Sequence, residues 1–164
     1  MTSLGSMNIR DYEADDKPAL EELTLRAWEP VFADLERSIK PEIYEVFVPD
    51  WQAEQMRSLN TVCDSGDIHT IVAERDEKIL GFAAMSFHPE DFLGQIFMVG
   101  VDPDYQRRGV GTALINAGIG IIKQRGFALV MIETGGDPGH AAARKTYEKM
   151  GFDLYPVARY LKRV

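Results

Sequence analysis

A basic, glycine-containing segment between an apolar run and a helical pattern is the part of this sequence best suited to chemistry. Its residues are Gln106-Arg107-Arg108-Gly109-Val110-Gly111-Thr112. Backbone N–H groups at the start of a helix point toward one place, and the helix dipole adds about half a positive charge there. Gly109 and Gly111 let the backbone approach a ligand closely, and Arg107 and Arg108 add full positive charge. The segment therefore predicts a binding turn for an anion such as a pyrophosphate.

Two common phosphate-binding patterns do not match this segment. A dinucleotide fingerprint, G-x-G-x-x-G, would need glycine where the chain has Leu114. A P-loop would end in Gly-Lys followed by Ser or Thr, and that ending is missing. On the residues alone, a plain glycine turn with two solvated arginines remains the alternative.

The wider segment, residues 101–111, resembles motif A of the GNAT superfamily of N-acetyltransferases. The family's motif is Gln/Arg-x-x-Gly-x-Gly/Ala, and the match begins at Gln106. The resemblance implies that the amides of residues 107–112 hold the pyrophosphate of acetyl-CoA. It also implies that the main chain of Val99, Gly100 and Val101 pairs with the pantetheine arm and orients the acetyl carbonyl. A plain core strand is the alternative for these three residues, and a glycine at position 100 would suit a β-bulge.

A second part of the chain, residues 141–152, also resembles the family. It is a helical run of small residues that ends in Tyr147-Glu148-Lys149-Met150-Gly151-Phe152. The resemblance implies that Tyr147 is the general acid toward the sulfur of coenzyme A. An ordinary phenol pKa of about 10 keeps such a group protonated at neutral pH. Alternatively, Ala143, Tyr147 and Met150 lie on one helical stripe and pack in the core.

Glu133 and His140 complete the candidate site. Glu133 ends the strand before that helix, where the branch of the family that acetylates protein N-termini has a glutamate. The resemblance implies a base that takes the proton of an ammonium substrate, directly or through water; an ordinary strand-end glutamate is the alternative. His140 stands where the family usually has an asparagine that contacts the cofactor, and imidazole can still bind an amide or phosphate oxygen. A solvent-facing residue is the alternative for His140.

The acceptor side is expected in the N-terminal part, because the first two helices of the family line the acceptor pocket. The candidate aromatic residues are Trp28, Phe32, Tyr44, Phe47 and Trp51. A ring with a nearby carboxylate such as Glu29, Asp34 or Glu36 would hold a cationic amine by cation–π and charge contacts. The alternative is that most of these rings belong to the core.

The elements that position these residues follow from hydrophobic periodicity and turn residues. Strand-like runs occupy residues 8–12, 68–74, 79–87, 95–101, 127–133 and 152–162, and helical patterns occupy residues 15–28, 42–60, 109–126 and 137–150. The order predicts an α+β fold with a GNAT-type mixed, mostly antiparallel sheet flanked by helices on both faces.

Composition and charge exclude several classes of protein. The chain has 164 residues, 45% of them hydrophobic, which suits a single domain over residues 8–164. Residues 1–7 are expected to be a disordered terminus or a cloning remnant. No apolar run approaches the roughly 18–20 residues of a membrane span, so we expect a cytoplasmic protein. A net charge of −8 disfavours nucleic acid as a partner, and the three histidines and one cysteine show no metal-ligand spacing.

These features predict an N-acetyltransferase that moves an acetyl group from acetyl-CoA to a primary amine in a direct ternary complex. The amine is a small molecule or a peptide N-terminus. A non-catalytic acyl-CoA sensor on the same fold would need residues 106–112 but no acid or base. Transfer of a longer acyl group would depend on the volume near Met98 and Met131. A homodimer that pairs C-terminal strands across a sheet edge is also compatible with the sequence.

Overall fold

In the computed structural model, residues 7–164 form a five-stranded sheet with helices on both faces. The strands are β1 (Asn8–Asp11), β2 (His69–Arg75), β3 (Lys78–His88), β4 (Leu93–Val101) and β5 (Leu129–Ile132). The helices are α1 (Lys17–Ser38), α2 (Pro41–Phe47), α3 (Trp51–Asp64), α4 (Val110–Gln124) and α5 (Ala141–Lys149). The expectation for the terminus falls largely on residues 1–6, which lie outside the described residues, whereas Met7 packs against the core.

The strands lie in the order β1-β2-β3-β4-β5. Neighbouring strands are antiparallel except β4 and β5, which run parallel. The predicted hairpin between β2 and β3 is confirmed. Asp76 and Glu77 form its turn with φ of 51° and 60°, the left-handed conformation that matches the twist of a two-residue hairpin. The predicted mixed, mostly antiparallel sheet is therefore confirmed.

Each face of the sheet carries its own apolar cluster. On one face α4 packs Val110, Leu114 and Ile122 against strand residues such as Leu80 and Met85. On the other face α1 and α3 supply Leu20, Leu23, Leu59 and Val62, which pack against Val72, Phe82, Ala84 and Met98. Burying side chains of this size contributes about 1.5–3 kcal/mol each. The sheet is thus held between two helical layers, as the sequence predicts.

The single helix expected over residues 42–60 is wrong, because the chain forms two helices there. Residue Pro49 cannot continue a helix and biases Val48 away from helical angles. Asp50 then caps α3, since its Oδ1 accepts a hydrogen bond from the amide of Ala53 at 2.9 Å. The break turns the connection between α1 and α3 into a separate short helix.

The last strand or hairpin expected over residues 152–162 is also wrong. Among the described residues, 153–164 form no helix or strand, and all of them are exposed. Only Phe152 at the start of this segment is partly buried against the core. The β-forming residue types are present, but a strand needs a neighbouring strand that supplies its hydrogen bonds. Among the described residues no strand pairs with this segment.

Gly100 lies where β4 meets α1, and it is glycine for a different reason from the bulge suggested by the sequence. It pairs in regular register with Phe82, and the shift in the β3–β4 register skips Phe97 instead. A methyl group at position 100 would lie 2.5 Å from Cε1 of Phe82 and 3.0 Å from Cζ3 of Trp28. Close packing against these rings therefore requires glycine, and the bulge belongs to Phe97.

We expect Gly100→Ala to lower the free energy of unfolding by roughly 1–3 kcal/mol, because the added carbon forces two packed rings to move. Gly120→Ala is the matched control, since a methyl group there meets no atom within 4 Å. The control should gain up to about 1 kcal/mol from its higher helix propensity. Urea unfolding of both variants measures the two changes, and an undisturbed Gly100→Ala protein would contradict the packing explanation.

Candidate active site

The parallel strands β4 and β5 separate partway along β4. They pair from Leu93 with Leu129 to Ile96 with Ile132, where β5 ends. β4 continues to Val101, and among residues 7–164 no strand pairs with this edge beyond Ile96. The separation begins at the register shift that skips Phe97. The edge of β4 over residues 97–101 therefore offers backbone N–H and C=O groups to an extended ligand.

The three predicted contacts to such a ligand lie on this edge. Val99 and Val101 are half-buried, and Gly100 is buried between them. Phe97, at the point of separation, is 44% exposed although it is a large aromatic residue. Sequence reasoning missed Phe97, because a bulge is a property of the pairing between two strands and leaves no local signal.

The glycine-containing turn leads from β4 into α4. Gln106, Arg107 and Arg108 are exposed, and the Nε2 of Gln106 donates a hydrogen bond to the carbonyl of Val101 at 3.2 Å. Gly109 has a φ of 88° and precedes α4 as its N-cap, without a side chain to cap the helix. The amides of the first turn of α4 thus have no side-chain acceptor. An anion is the natural partner for them, and Gly111 and the exposed Thr112 lie in the same turn.

A buried carboxylate holds the start of this turn. Asp102 is 3% exposed, and its Oδ1 accepts the amide of Asp104 at 2.9 Å. Its Oδ2 lies 3.3 Å from Nη1 of Arg26 on α1 and 3.5 Å from Nζ of Lys78 on β3. Lys78 also lies 4.6 Å from the ring centroid of Tyr105. These contacts join the turn to two elements that are distant in sequence, and sequence reasoning gave Asp102 no role.

Tyr147 lies on α5 and packs partly into the core on the α4 side of the sheet. Its ring centroid is 6.1 Å from that of Phe152. Within residues 7–164 its hydroxyl makes no hydrogen bond. Burial raises the pKa of Tyr147 above its ordinary value, so the phenol stays protonated at neutral pH. The structure thus shows Tyr147 packed against the core with a phenol that keeps its proton, and its role as general acid stays a prediction.

Glu133 and His140 flank the loop between β5 and α5. Glu133 is exposed and directly follows the last residue of β5, at the strand separation. His140 is half-buried, and its Nδ1 lies 2.6 Å from Oδ2 of Asp137. Burial acts to raise the pKa of Asp137. The hydrogen bond and charge of His140 and the hydrogen bond from the amide of Gly139 have a larger combined effect, so the pKa of Asp137 is lowered. Only the Nε2 of His140 is left for a ligand.

Arg144 fixes this loop further. Its Nη1 donates hydrogen bonds to the carbonyl oxygens of Gly135 at 2.5 Å and Asp137 at 2.8 Å. The turn Pro138–His140 packs on α1, and a methyl group at Gly139 would lie 3.1 Å from Cβ of Asp34. The loop after β5 and the C-terminal half of α1 therefore lie side by side.

The candidate acceptor aromatics lie in different surroundings. Phe32 and Trp51 stack with centroids 4.9 Å apart, and Trp28 packs toward Gly100. Tyr44 is half-buried, which raises its pKa, with the charge of Glu36 adding to the effect. Phe47 is 53% exposed. The structure places Trp28 beside Gly100 on β4 and stacks Phe32 of α1 on Trp51 of α3.

The carboxylates near these rings differ in their exposure and in their ion pairs. Glu29 and Glu36 are exposed, whereas Asp34 pairs with Arg37. Among residues 7–164 there is no group of three metal-ligating side chains, and no helix is long and apolar enough to cross a membrane.

Comparison with known proteins gives a consistent picture. A family model described as "Acetyltransferase (GNAT) family" matches residues 32–152. Mycothiol acetyltransferase of Thermomonospora curvata is 33% identical over 107 residues, which are 65% of this chain and 35% of that protein. The mycothiol acetyltransferase of Kocuria rhizophila is 38% identical over 91 residues, 52% of this chain and 29% of that protein. The chain thus spans about a third of the length of these curated relatives.

Solved structures share the fold over nearly the whole chain. The PaiA N-acetyltransferase of Thermoplasma acidophilum, in complex with coenzyme A, superposes with a TM-score of 0.71 at 18% identity and covers 93% of both chains. The aminoglycoside acetyltransferase AAC(6')-Iy, in complex with a bisubstrate analogue, gives a TM-score of 0.66 at 18% identity and covers 98% of this chain and 100% of that one. At these identities the similarity shows the fold alone.

We expect Asp102→Ala to lower the free energy of unfolding by about 1–3 kcal/mol, because it removes a buried acceptor and the shared partner of two cations. Asp104→Ala is the matched control. It removes only the exposed ion pair of Arg26 with Asp104, 2.9 Å apart, and should cost at most about 0.5 kcal/mol. Denaturant unfolding compares the two, and equal losses would contradict the anchoring role of Asp102.

Proposed function

This chain belongs to the GNAT acetyltransferase family, and we propose that it transfers an acetyl group from acetyl-CoA to a primary amine. One observation carries the proposal. The unpaired edge of β4 over residues 97–101 leads directly into a glycine turn and a helix start without a side-chain cap. A ligand that consists of an extended arm and a pyrophosphate needs a strand edge with free hydrogen-bonding groups, followed by an anion site.

The chain's residues fit acetyl-CoA as the co-substrate. In this proposal the main chain of Val99, Gly100 and Val101 binds the pantetheine arm. The pyrophosphate accepts hydrogen bonds from the amides of residues 107–112, and the exposed Arg107 and Arg108 add charge. His140 uses its Nε2 toward the cofactor, since Nδ1 is engaged with Asp137.

The proposed reaction removes two protons from the ammonium nitrogen of the acceptor and supplies one to the departing sulfur. Glu133 takes a proton from the ammonium group of the acceptor, directly or through water, so that the neutral nitrogen can attack the acetyl carbon. The new C–N bond forms and the C–S bond breaks in the same complex, and Tyr147 gives its proton to the departing sulfur. The second proton of the nitrogen then passes to the Tyr147 oxygen, directly or through water, and restores the phenol. The partly buried, protonated phenol supports this assignment.

We propose a cationic amine as the acceptor. The exposed Glu29 and Glu36 and the stacked pair of Phe32 and Trp51 support it, because carboxylates and aromatic faces both attract cations. The net charge of −8 acts in the same direction at longer range. Aminoglycosides, from which the N-acetyltransferase AAC(6')-Iy takes its name, are amines of this class. A cytoplasmic location is also proposed, supported by a single cysteine, Cys63, that is free.

The first test measures thiol release from acetyl-CoA with polyamines, aminoglycosides, amino acids and short peptides, using wild type and Tyr147→Phe. We expect kcat to fall at least about tenfold in the variant, with a small change in KM for acetyl-CoA, because the ring stays and only the proton is lost. The ratio of the two rates should stay constant from about pH 7 to 9, since the raised pKa keeps Tyr147 protonated over this range.

Tyr155→Phe is the matched control, because Tyr155 is 83% exposed, and it should leave the rate unchanged. Equal rates in wild type and Tyr147→Phe would rule out Tyr147 as the acid while leaving the enzyme in place. Tight binding of acetyl-CoA without thiol release for any acceptor would favour an acyl-CoA sensor instead.

Glu133→Gln tests the base. We expect kcat/KM for the amine to fall about a hundredfold near neutral pH. The loss should shrink as the pH approaches the amine pKa of about 10, because the acceptor then loses its proton without help. Glu148→Gln, an exposed glutamate on α5, is the control and should behave as wild type. A loss that does not change with pH would argue against proton removal by Glu133.

A further inference from the structure

A cavity of about 350 Å³ opens at the end of the sheet opposite the glycine-containing turn. It lies beside His69 at the start of β2, whereas the turn follows the end of β4. β2 and β4 point in the same direction, because each is antiparallel to β3. The 15 residues of α4 connect the two places over about 22 Å. The cavity is therefore separate from the candidate active site.

Two side chains of opposite charge line this cavity without pairing with each other. Arg125 directly follows the last residue of α4, and Asp67 lies in the loop between α3 and β2. Among residues 7–164 neither of them forms an ion pair with any other side chain. The cavity thus offers one positive and one negative group to a ligand that carries a charge of each sign.

The guanidinium group of Arg125 is held in place from two sides. Its Cζ lies 4.0 Å from the ring centroid of Phe87, and its Nη2 lies 2.9 Å from Nδ1 of His69. Because an arginine only donates, Nδ1 accepts this hydrogen bond, and the imidazole carries its hydrogen on Nε2. That Nε2 donates to Oδ1 of Asp11 at 2.8 Å. The remaining N–H groups of Arg125 are available, and a planar carboxylate matches them best.

Uncharged donors stand on the same wall of the cavity. Burial raises the pKa of the Tyr12 phenol and of the Cys63 thiol, so both groups keep their protons at neutral pH. The Oγ of Ser65 accepts the amide of Asp67 at 3.3 Å, which leaves its hydrogen free to donate. These groups add hydrogen bonds for the oxygen atoms of a carboxylate without adding charge.

The opposite wall favours a positive group. α3 ends at Asp64 beside the cavity, and the C-terminal end of a helix carries about half a negative charge. The carboxylate of Asp64 is already engaged, because Nζ of Lys17 lies 2.9 Å from it. Asp67 is therefore the carboxylate on this wall that remains for an ammonium group.

We propose that this cavity is a second ligand site, which binds a small zwitterion of the α-amino acid class. Arg125 binds the carboxylate of the ligand, and Asp67 with the end of α3 binds its ammonium group. Ligand pockets typically have volumes of about 300–1,000 Å³, so a cavity near the lower limit suits a molecule of this size. Both charged side chains are exposed, and we expect dissociation constants in the millimolar range. The site acts independently of the acetyl-transfer reaction.

NMR titration of the ¹⁵N-labelled protein with each of the standard amino acids, without acetyl-CoA, tests the site. We expect at least one amino acid to shift the amide signals of Gly66, Asp67 and Arg125 in a saturable manner. Its analogues with only one of the two charges should bind at least about tenfold more weakly; for alanine these are propionate and ethylamine. Shifts confined to the candidate active site, no shifts with any amino acid, or equal binding of a one-charge analogue would overturn the proposal.

Variants separate the two ends of the ligand. Arg125→Gln and Asp67→Asn should each weaken binding of the amino acid at least about tenfold. Asp67→Asn should still bind propionate as wild type does, because this probe has no ammonium group, and its exposed loop position should leave the fold intact. Arg57→Gln is the matched control, an exposed arginine on α3 that pairs with Glu54, and it should bind as wild type. Unchanged affinity for the amino acid in Asp67→Asn would contradict the proposal. Thiol release from acetyl-CoA, measured in parallel, should be the same in all three variants.

Discussion

The separation of two parallel strands places an unsatisfied hydrogen-bonding edge beside the buried centre of this sheet. β4 and β5 stay paired only as far as Ile96 and Ile132, and β4 then continues alone past Phe97. Backbone N–H and C=O groups need partners, so an edge of this kind is stable only where water or a ligand reaches it. The glycine-containing turn follows the unpaired part of β4, and Glu133 and the loop before α5 follow the end of β5, so all three lie at this opening.

Helix α1 connects the two halves of the candidate site. Arg26 pairs with the buried Asp102 and so holds the turn, and Trp28, two residues later, packs against Gly100 on β4. The next turns of α1 carry Phe32 and lie against the loop of Gly139. Helix α1 thus touches the glycine-containing turn, the strand edge and the proposed acceptor side. A displacement of α1 would alter the proposed cofactor and acceptor contacts together.

Packing and chemistry are combined in the C-terminal part of the chain. Tyr147 contributes to the core, and the burial that this requires also raises its pKa and keeps it protonated. The same part of the molecule is thinly covered, because β5 is a short edge strand and residues 153–164 are exposed.

Local sequence determined much of the fold and identified the residues of the candidate site. Turn residues and alternation predicted the β2–β3 hairpin, the strand β4, the glycine turn and helix α4, because each depends on neighbours along the chain. The bulge at Phe97, the reason for glycine at position 100 and the clamp around Asp102 depend on contacts between elements far apart in sequence. Residues 152–162 show the same limit, since β-forming side chains make a strand only where an edge receives them. The sequence therefore determined which residues can do chemistry, and only the tertiary structure decided what holds them and what they face.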